Sequence, residues 1–207
     1  MEKLNRARGN FATGICYVNL EYKTWNILRS KGDFNWLQTS LPDNFIYLGH
    51  NQAPTSSQRV FDQKTSHPFV CGDWVVAHNG VLTNYKNLIS QFTPGHSNPV
   101  DSSVIPALFC EFESRYGPCE DIDDEKEIIL PVLGYLEGTF ALWIVNLRSM
   151  NIYIARQGST LYHKDVNVSS IKGDDYLPVE EGVLYSYSKD GLIPFGNFKS
   201  KSPFLTF

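Results

Sequence analysis

The stretch WVVAHNGVLTNYKNL, residues 74 to 88, joins an apolar strand pattern to a short amphipathic helix pattern through His78-Asn79-Gly80. Asn and Gly both tolerate positive φ, and an Asn-Gly pair is the strongest short hairpin signal. By itself, then, the triplet reads as a tight turn closing a buried strand. The same pair also brings two donors, a side-chain amide and a backbone N–H, to whatever lies above the strand end. The rest of the chain weighs these two readings.

With 207 residues, 42% hydrophobic and 14% aromatic, the sequence can bury a sizeable core and reads as one domain, 1–207. A net charge of −4 leaves no basic footprint, which argues against nucleic acid as a partner. The acidic run EDIDDEKE, 120 to 127, reads as a solvated loop and helix start, with an acidic docking site as the minor alternative. No apolar run approaches the roughly 18 residues of a membrane span, and MEKLNRARGN has no hydrophobic segment behind its charges. A cytoplasmic protein with no membrane contact is expected. Cys16, Cys71, Cys110 and Cys119 match no zinc spacing and read as reduced thiols, and the five histidines lack ligand spacing. Neither metal nor cofactor is expected.

Strand patterns cover GICYVNL and TWNILRS as a hairpin, FIYLGH (45 to 50), WVVAH (74 to 78), TFALWIVNL, NIYIARQ, TLYHK and GVLYSYS. Helices are predicted in three places. Thr83 would cap one whose apolar face is Tyr85, Leu88, Ile89 and Phe92. A second starts near Asp101, with Ser102 or Ser103 as alternative caps, and buries Val104, Ile105, Leu108, Phe109, Phe112 and Tyr116, with Pro106 in its first turn. A third covers about 124 to 136, kinked or delayed by Pro131. Residues 164 to 182 read as a polar excursion. Strands at both ends with helices grouped between them argue for α+β with largely antiparallel sheets.

Three polar blocks end three different apolar runs: GHNQAPTSS (49 to 57), HNG (78 to 80) and VDSSVI (100 to 105). Polar groups converging from separate elements are how a rigid scaffold builds a small-molecule pocket. Together with RGNFATG, HPFVCGDWVVAHNGVLTNYKNL and LEGTFALWIVNLRSMNIYIARQGSTLYH, in that order, they resemble the class II glutamine amidotransferases of the N-terminal-nucleophile type. The resemblance runs from residue 5 to about 195. It implies a four-layer αββα sandwich of two mainly antiparallel sheets flanked by helices.

The resemblance also implies roles. Asn79 and Gly80 would form an oxyanion hole for the tetrahedral intermediate of glutamine hydrolysis, where one donor is typically worth about 3 kcal/mol. Asp101 would receive the α-ammonium of glutamine, with a helix cap as its plain alternative. His50, Gln52, Thr55 and His78 would line the pocket, although His50 reads equally well as a buried, hydrogen-bonded core residue. Arg8 would support the site. For this to hold, Asn79 and Asp101 must converge on one cleft.

Two departures bear on activity. The family begins with a nucleophilic cysteine whose own α-amine acts as base, on a strand followed by a helix. Only seven residues precede Arg8, where a strand, turn and helix need about 20, so this sequence is expected to lack the nucleophile. Cys16 and Cys71 have no free α-amine, and Cys16 reads as packing. The family's arginine after Gly-His, a two-pronged donor to a carboxylate, is Gln52, a neutral amide.

The chain as written is therefore expected to be inactive. Three accounts stand side by side: a misplaced start, a missing strand supplied by another chain, or a non-catalytic binding module on the same fold. A complete domain would pass ammonia from glutamine to a separate acceptor enzyme. A serine hydrolase built on Ser56 or Ser57 has no ordered triad to support it.

Overall fold

The computed structural model describes residues 11–32, 44–53 and 61–200. Arg8, Thr55, Ser56, Ser57 and Arg59 fall outside them. The chain divides into two compact units, Met1–Phe69 and Val70–Phe207.

The first unit carries a three-stranded antiparallel sheet of β1 (Ala12–Asn19), β2 (Thr24–Lys31) and β3 (Ile46–Gln52), in the order β2-β1-β3. The expected hairpin forms because Asn19 Oδ1 accepts the N–H groups of Glu21 and Tyr22 at 3.0 and 2.9 Å, turning the chain between β1 and β2. β1 lies in the middle and is almost wholly buried, whereas β2 at the edge is exposed along much of its length. β3 continues two residues past Gly-His, to Gln52. The backbone of His67 passes so close to β1 that a Cβ on Gly14 would stand 1.8 Å from the His67 carbonyl oxygen. Arg29 Nε donates to the carbonyls of Ser66 and Pro68 at 3.2 and 3.0 Å, tying that passage to β2. The His67–Pro68 bond is cis.

The second unit is built on a six-stranded sheet. Its strands are β4 (Phe69–Cys71), β5 (Trp74–Leu82), β6 (Gly138–Asn146), β7 (Ile152–Gln157), β11 (Val183–Ser188) and β12 (Gly191–Asn197). They lie in the order β12-β11-β7-β6-β5-β4, and the pairings from β5 to β12 are antiparallel. Period-2 alternation fixes its buried face: Trp74 and Val76 of β5, Phe140, Leu142 and Ile144 of β6, and Tyr153 and Ala155 of β7 share one core with the helices. Ala141 and Ile154, on the opposite face, pack instead with Leu161 and Val179. Residues 164 to 182 are not a plain excursion. They supply β9 (Asn167–Ser169) and β10 (Leu177–Pro178), which flank β8 (Tyr162–Lys164) in a second small sheet.

Three helices cover the six-stranded sheet: α1 (Tyr85–Phe92), α2 (Val104–Tyr116) and α3 (Ile122–Tyr135). α1 is not capped by Thr83. Asn84 occupies the cap position, and its side chain reaches elsewhere, donating to the Tyr135 carbonyl at 2.8 Å and accepting the Glu137 N–H at 3.1 Å. Ser103, one of the two alternatives, occupies the cap position of α2 but makes no side-chain cap bond; it and Ser102 lie in a 3-10 turn, Asp101–Ser103, that precedes the helix. Tyr116 keeps the helical spacing but is 74% exposed. α3 starts two residues early because Asp121 accepts the N–H groups of Asp123 and Asp124. It then continues through Pro131, which lies on the exposed face, where a lost amide bond is tolerated best. Among the described residues no helix is long and apolar enough to cross a membrane.

One member of the acidic run is not solvated. Glu125 is 1% exposed; its Oε2 accepts from Tyr153 Oη at 2.5 Å and from Asn151 Nδ2 at 3.2 Å, fastening α3 to the β6–β7 connection. Burial pushes its carboxyl above the usual range, against the pull of the hydrogen bonds from Ser149, Tyr153 and Asn151, and the nearby charge of Glu113 adds to the rise. A native carboxyl that holds its proton where the unfolded one has released it makes stability fall as pH rises from about 4.5 through the raised value. Glu125→Gln is expected to remove that part of the slope, read as urea midpoints between pH 4 and 8. Superimposable pH profiles for the two proteins would refute this.

Candidate functional site

The HNG triplet is neither a turn nor the end of its strand. β5 runs straight through it to Leu82, with Asn79 opposite Ala141 and Gly80 opposite Phe140. What departs from ordinary strand geometry is Gly80, at φ +152°. A Cβ there would lie 2.0 Å from the Thr139 carbonyl oxygen and 2.7 Å from His78 Nε2. The glycine is required by close approach of the neighbouring strand, so no hairpin signal was being sent.

His78 points to the helix-covered face and is buried. Its Nε2 lies 3.1 Å from the Thr139 carbonyl and its Nδ1 2.9 Å from Ser102 Oγ. A carbonyl only accepts, so Nε2 carries the proton and Nδ1 receives the Ser102 hydroxyl. Burial pushes the imidazole pKa down, against the opposing pull of Asp101 and of the Thr139 carbonyl, which keeps the ring neutral.

Asp101 closes the arrangement. Its Oδ2 accepts the Leu82 N–H at 2.9 Å, and its Oδ1 accepts the Ser102 N–H at 2.8 Å, with the Ser102 hydroxyl at 3.3 Å. The carboxylate is thereby pinned between the 3-10 turn before α2 and the last residue of β5. Two carboxylate oxygens offer about four acceptor positions, so these contacts leave capacity for a further cation. Asn79 is half-buried and Gly80 exposed, so the end of β5 beside Asp101 is open. The reading of Asp101 as a cap gives way to this geometry, because its side chain reaches across to a strand.

The structure thus brings His78, Asn79, Gly80 and Asp101 to one end of β5. His50 and Gln52 lie on β3 of the first unit, where His50 stacks on His67 with ring centroids 4.0 Å apart and Gln52 is 6% exposed. Thr55 and Arg8 lie outside the described residues. Two members of the cluster were not singled out for it from the sequence. Ser102 was weighed only as a cap, and Thr139 only as the start of an apolar strand; neither carries a local signal for a contact made across the sheet. Cys16 packs in the middle of β1, fully buried, with its thiol pushed up to about 12 by burial, in part offset by Arg29. Among the described residues no group of three or more His, Cys, Asp or Glu is placed to hold a metal ion.

No family model matches the chain. Over 167 residues it is 26% identical to the glutamine–fructose-6-phosphate aminotransferase (isomerizing) of Streptococcus pyogenes serotype M3, a stretch covering 78% of this chain and 26% of that protein. The chain spans about a quarter of the length of this curated relative. A solved allosteric regulatory enzyme of purine biosynthesis superposes with a TM-score of 0.70 at 18% identity, covering 95% of this chain and 44% of the other. A glutamine aminotransferase class-II domain protein from Silicibacter pomeroyi superposes with a TM-score of 0.58 at 12% identity, covering 91% of each chain. These likenesses bear out the resemblance to class II glutamine amidotransferases and the α+β class with mainly antiparallel sheets.

Replacing Gly80 with alanine is expected to destabilise the protein by about 2–4 kcal/mol in urea unfolding, through strain at positive φ and collision with Thr139. Asn79→Ala, at a half-buried position with no such collision, is expected to cost less than about 1 kcal/mol. Equal losses for the two variants would contradict this account.

Proposed function

We propose that residues 1–207 form a glutamine amidotransferase-type domain whose site at the end of β5 binds glutamine or a related small amide. Asp101 receives the α-ammonium, and Asn79 with the Gly80 N–H faces the side-chain carbonyl as an oxyanion hole. His50, Gln52, Thr55 and Arg8 are assigned to the same site by resemblance, and His78 acts from beneath as a positioning residue. The observation that carries the reading is the Asp101 carboxylate, held by the Leu82 N–H beside the open Asn79–Gly80 segment.

Hydrolysis needs a nucleophile with a base. Gln52 offers no charge to a substrate carboxylate, and this favours binding without turnover as the first reading. A second reading keeps the ancestral role: supplied with a nucleophile segment, the domain would release ammonia for a separate acceptor enzyme. It is favoured by the intact donor pair at Asn79 and Gly80.

Isothermal calorimetry separates these readings, using glutamine, glutamate and asparagine, with ammonia release assayed on the same sample. Glutamine is expected to bind in the micromolar-to-millimolar range without ammonia, and Asp101→Asn to weaken it at least tenfold, the loss of one charge-assisted contact of about 1.5–3 kcal/mol. Ammonia release abolished by Asn79→Ala would establish the second reading. Absence of glutamine binding, or equal affinity in the Asp101 variant, would overturn the site assignment.

A further inference from the structure

Cys71 and Cys110 are 39 residues apart along the chain but come together in space at the far end of β5 from the proposed glutamine site. Cys71 is the last residue of β4, and Cys110 lies in the middle of α2. Cys110 Sγ lies 3.0 Å from where a Cβ on Gly72, the residue next to Cys71, would stand, and each thiol is the leading influence on the other's titration. Both residues are half-buried rather than sealed in the core, and both are free thiols.

The frame around the pair is fixed independently of the sulfurs. Arg148 bridges Asp73 and Glu113 at 2.6 and 2.9 Å, and Trp74 Nε1 donates to Glu113 Oε2 at 2.9 Å. Asp73 and Trp74 lie two and three residues after Cys71, and Glu113 is one turn beyond Cys110 on α2. The β4–β5 turn is thus clamped to the helix at the place where the sulfurs face each other. A disulfide here would join two elements that the Arg148 clamp already holds together.

The pair is also chemically asymmetric. The hydrogen bond from Cys110 lowers the Cys71 thiol to about 7, against the opposing effect of burial. The Cys110 thiol is pushed up, first by that same hydrogen bond and by burial, then by the charges of Cys71, Glu113 and Asp73. One thiol is the attacking group near neutral pH, and its neighbour keeps its proton until needed.

We propose that Cys71 and Cys110 form a reactive dithiol that closes to a disulfide by exchange with a low-molecular-weight disulfide. The Cys71 thiolate attacks one sulfur of the small disulfide, forming a mixed disulfide and expelling one thiolate. Cys110 then gives its proton to that leaving thiolate, attacks Cys71 Sγ and expels the second. Two protein thiols are oxidised by two electrons, and one small disulfide is reduced to two thiols. The bond encloses residues 71 to 110, and so the whole of β5, α1 and the Asp101 turn. In a reducing compartment the dithiol is the resting form and the disulfide a transient one.

The test uses the full chain, reduced and then incubated with oxidised glutathione at pH 7.5, followed by peptide mass spectrometry. A Cys71–Cys110 cross-linked peptide is expected, with Cys16 and Cys119 left as thiols and full reversal by dithiothreitol. The thermal midpoint should rise by roughly 5–15 °C on oxidation, the scale set by closing a ring of this length. Cys110→Ser should trap glutathione on Cys71, whereas Cys71→Ser should slow glutathione uptake by Cys110 at least tenfold relative to Cys71 in the Cys110 variant. A folded wild-type protein that forms no 71–110 cross-link, or that takes up glutathione equally on all four cysteines, would overturn the proposal. Because the readout is covalent, it stands or falls apart from glutamine binding.

Discussion

The Thr139 carbonyl is the point on which the proposed site depends. It comes within reach of Gly80 so closely that residue 80 cannot carry a side chain, and a buried carbonyl there must be satisfied. The neutral His78 ring supplies the donor from one nitrogen and takes the Ser102 hydroxyl on the other. Ser102 in turn sits beside Asp101, whose carboxylate holds the end of β5. One chain of contacts therefore runs from the neighbouring strand, through the histidine under the sheet, to the helix that follows. It makes residues 78, 80, 82, 101, 102 and 139 interdependent, so none of these can be altered as a free surface loop could.

Much of the architecture is legible from alternation. WVVA and TFALWIVNL name their strands because one face of each is buried under helices and a one-residue slip would expose it. The same signal misleads at Asn79-Gly80. Locally the pair spells a turn, but the partner strand, some sixty residues later, holds it extended. Thr83 and Asp101 mislead in the same way. Each has the composition of a cap, and each spends its side chain on a distant backbone group: Thr83 on the Glu137 carbonyl, Asp101 on the Leu82 N–H. Side chains with short polar ends serve either purpose, and only the tertiary neighbour decides between them. β9 and β10 are three and two residues long, too short for periodicity to register.

Of the site itself, the sequence carries the residue types and their order, while the supporting shell is invisible. Ser102 looks like a cap and Thr139 like the start of a strand. Glu125 looks like one of several solvated acids, yet it is the member of its run that faces Tyr153. In each case the deciding fact is a donor or acceptor contributed from another element. Gln52 remains the position where residue type and the resemblance pull apart: a neutral amide, largely buried on β3, stands in place of a guanidinium.

The tether made by Asn84 has a consequence for how the molecule breathes. α1 has eight residues, too few to persist as an isolated helix in water. Its start is bound to Tyr135 and Glu137, and Phe92 near its end packs against Phe112 and Tyr135. Both ends of α1 are thus fastened to the junction between α3 and β6. The helix and that junction should therefore open together in amide hydrogen exchange, with a single free energy and with Gly138 and Thr139 at the head of β6 as the border.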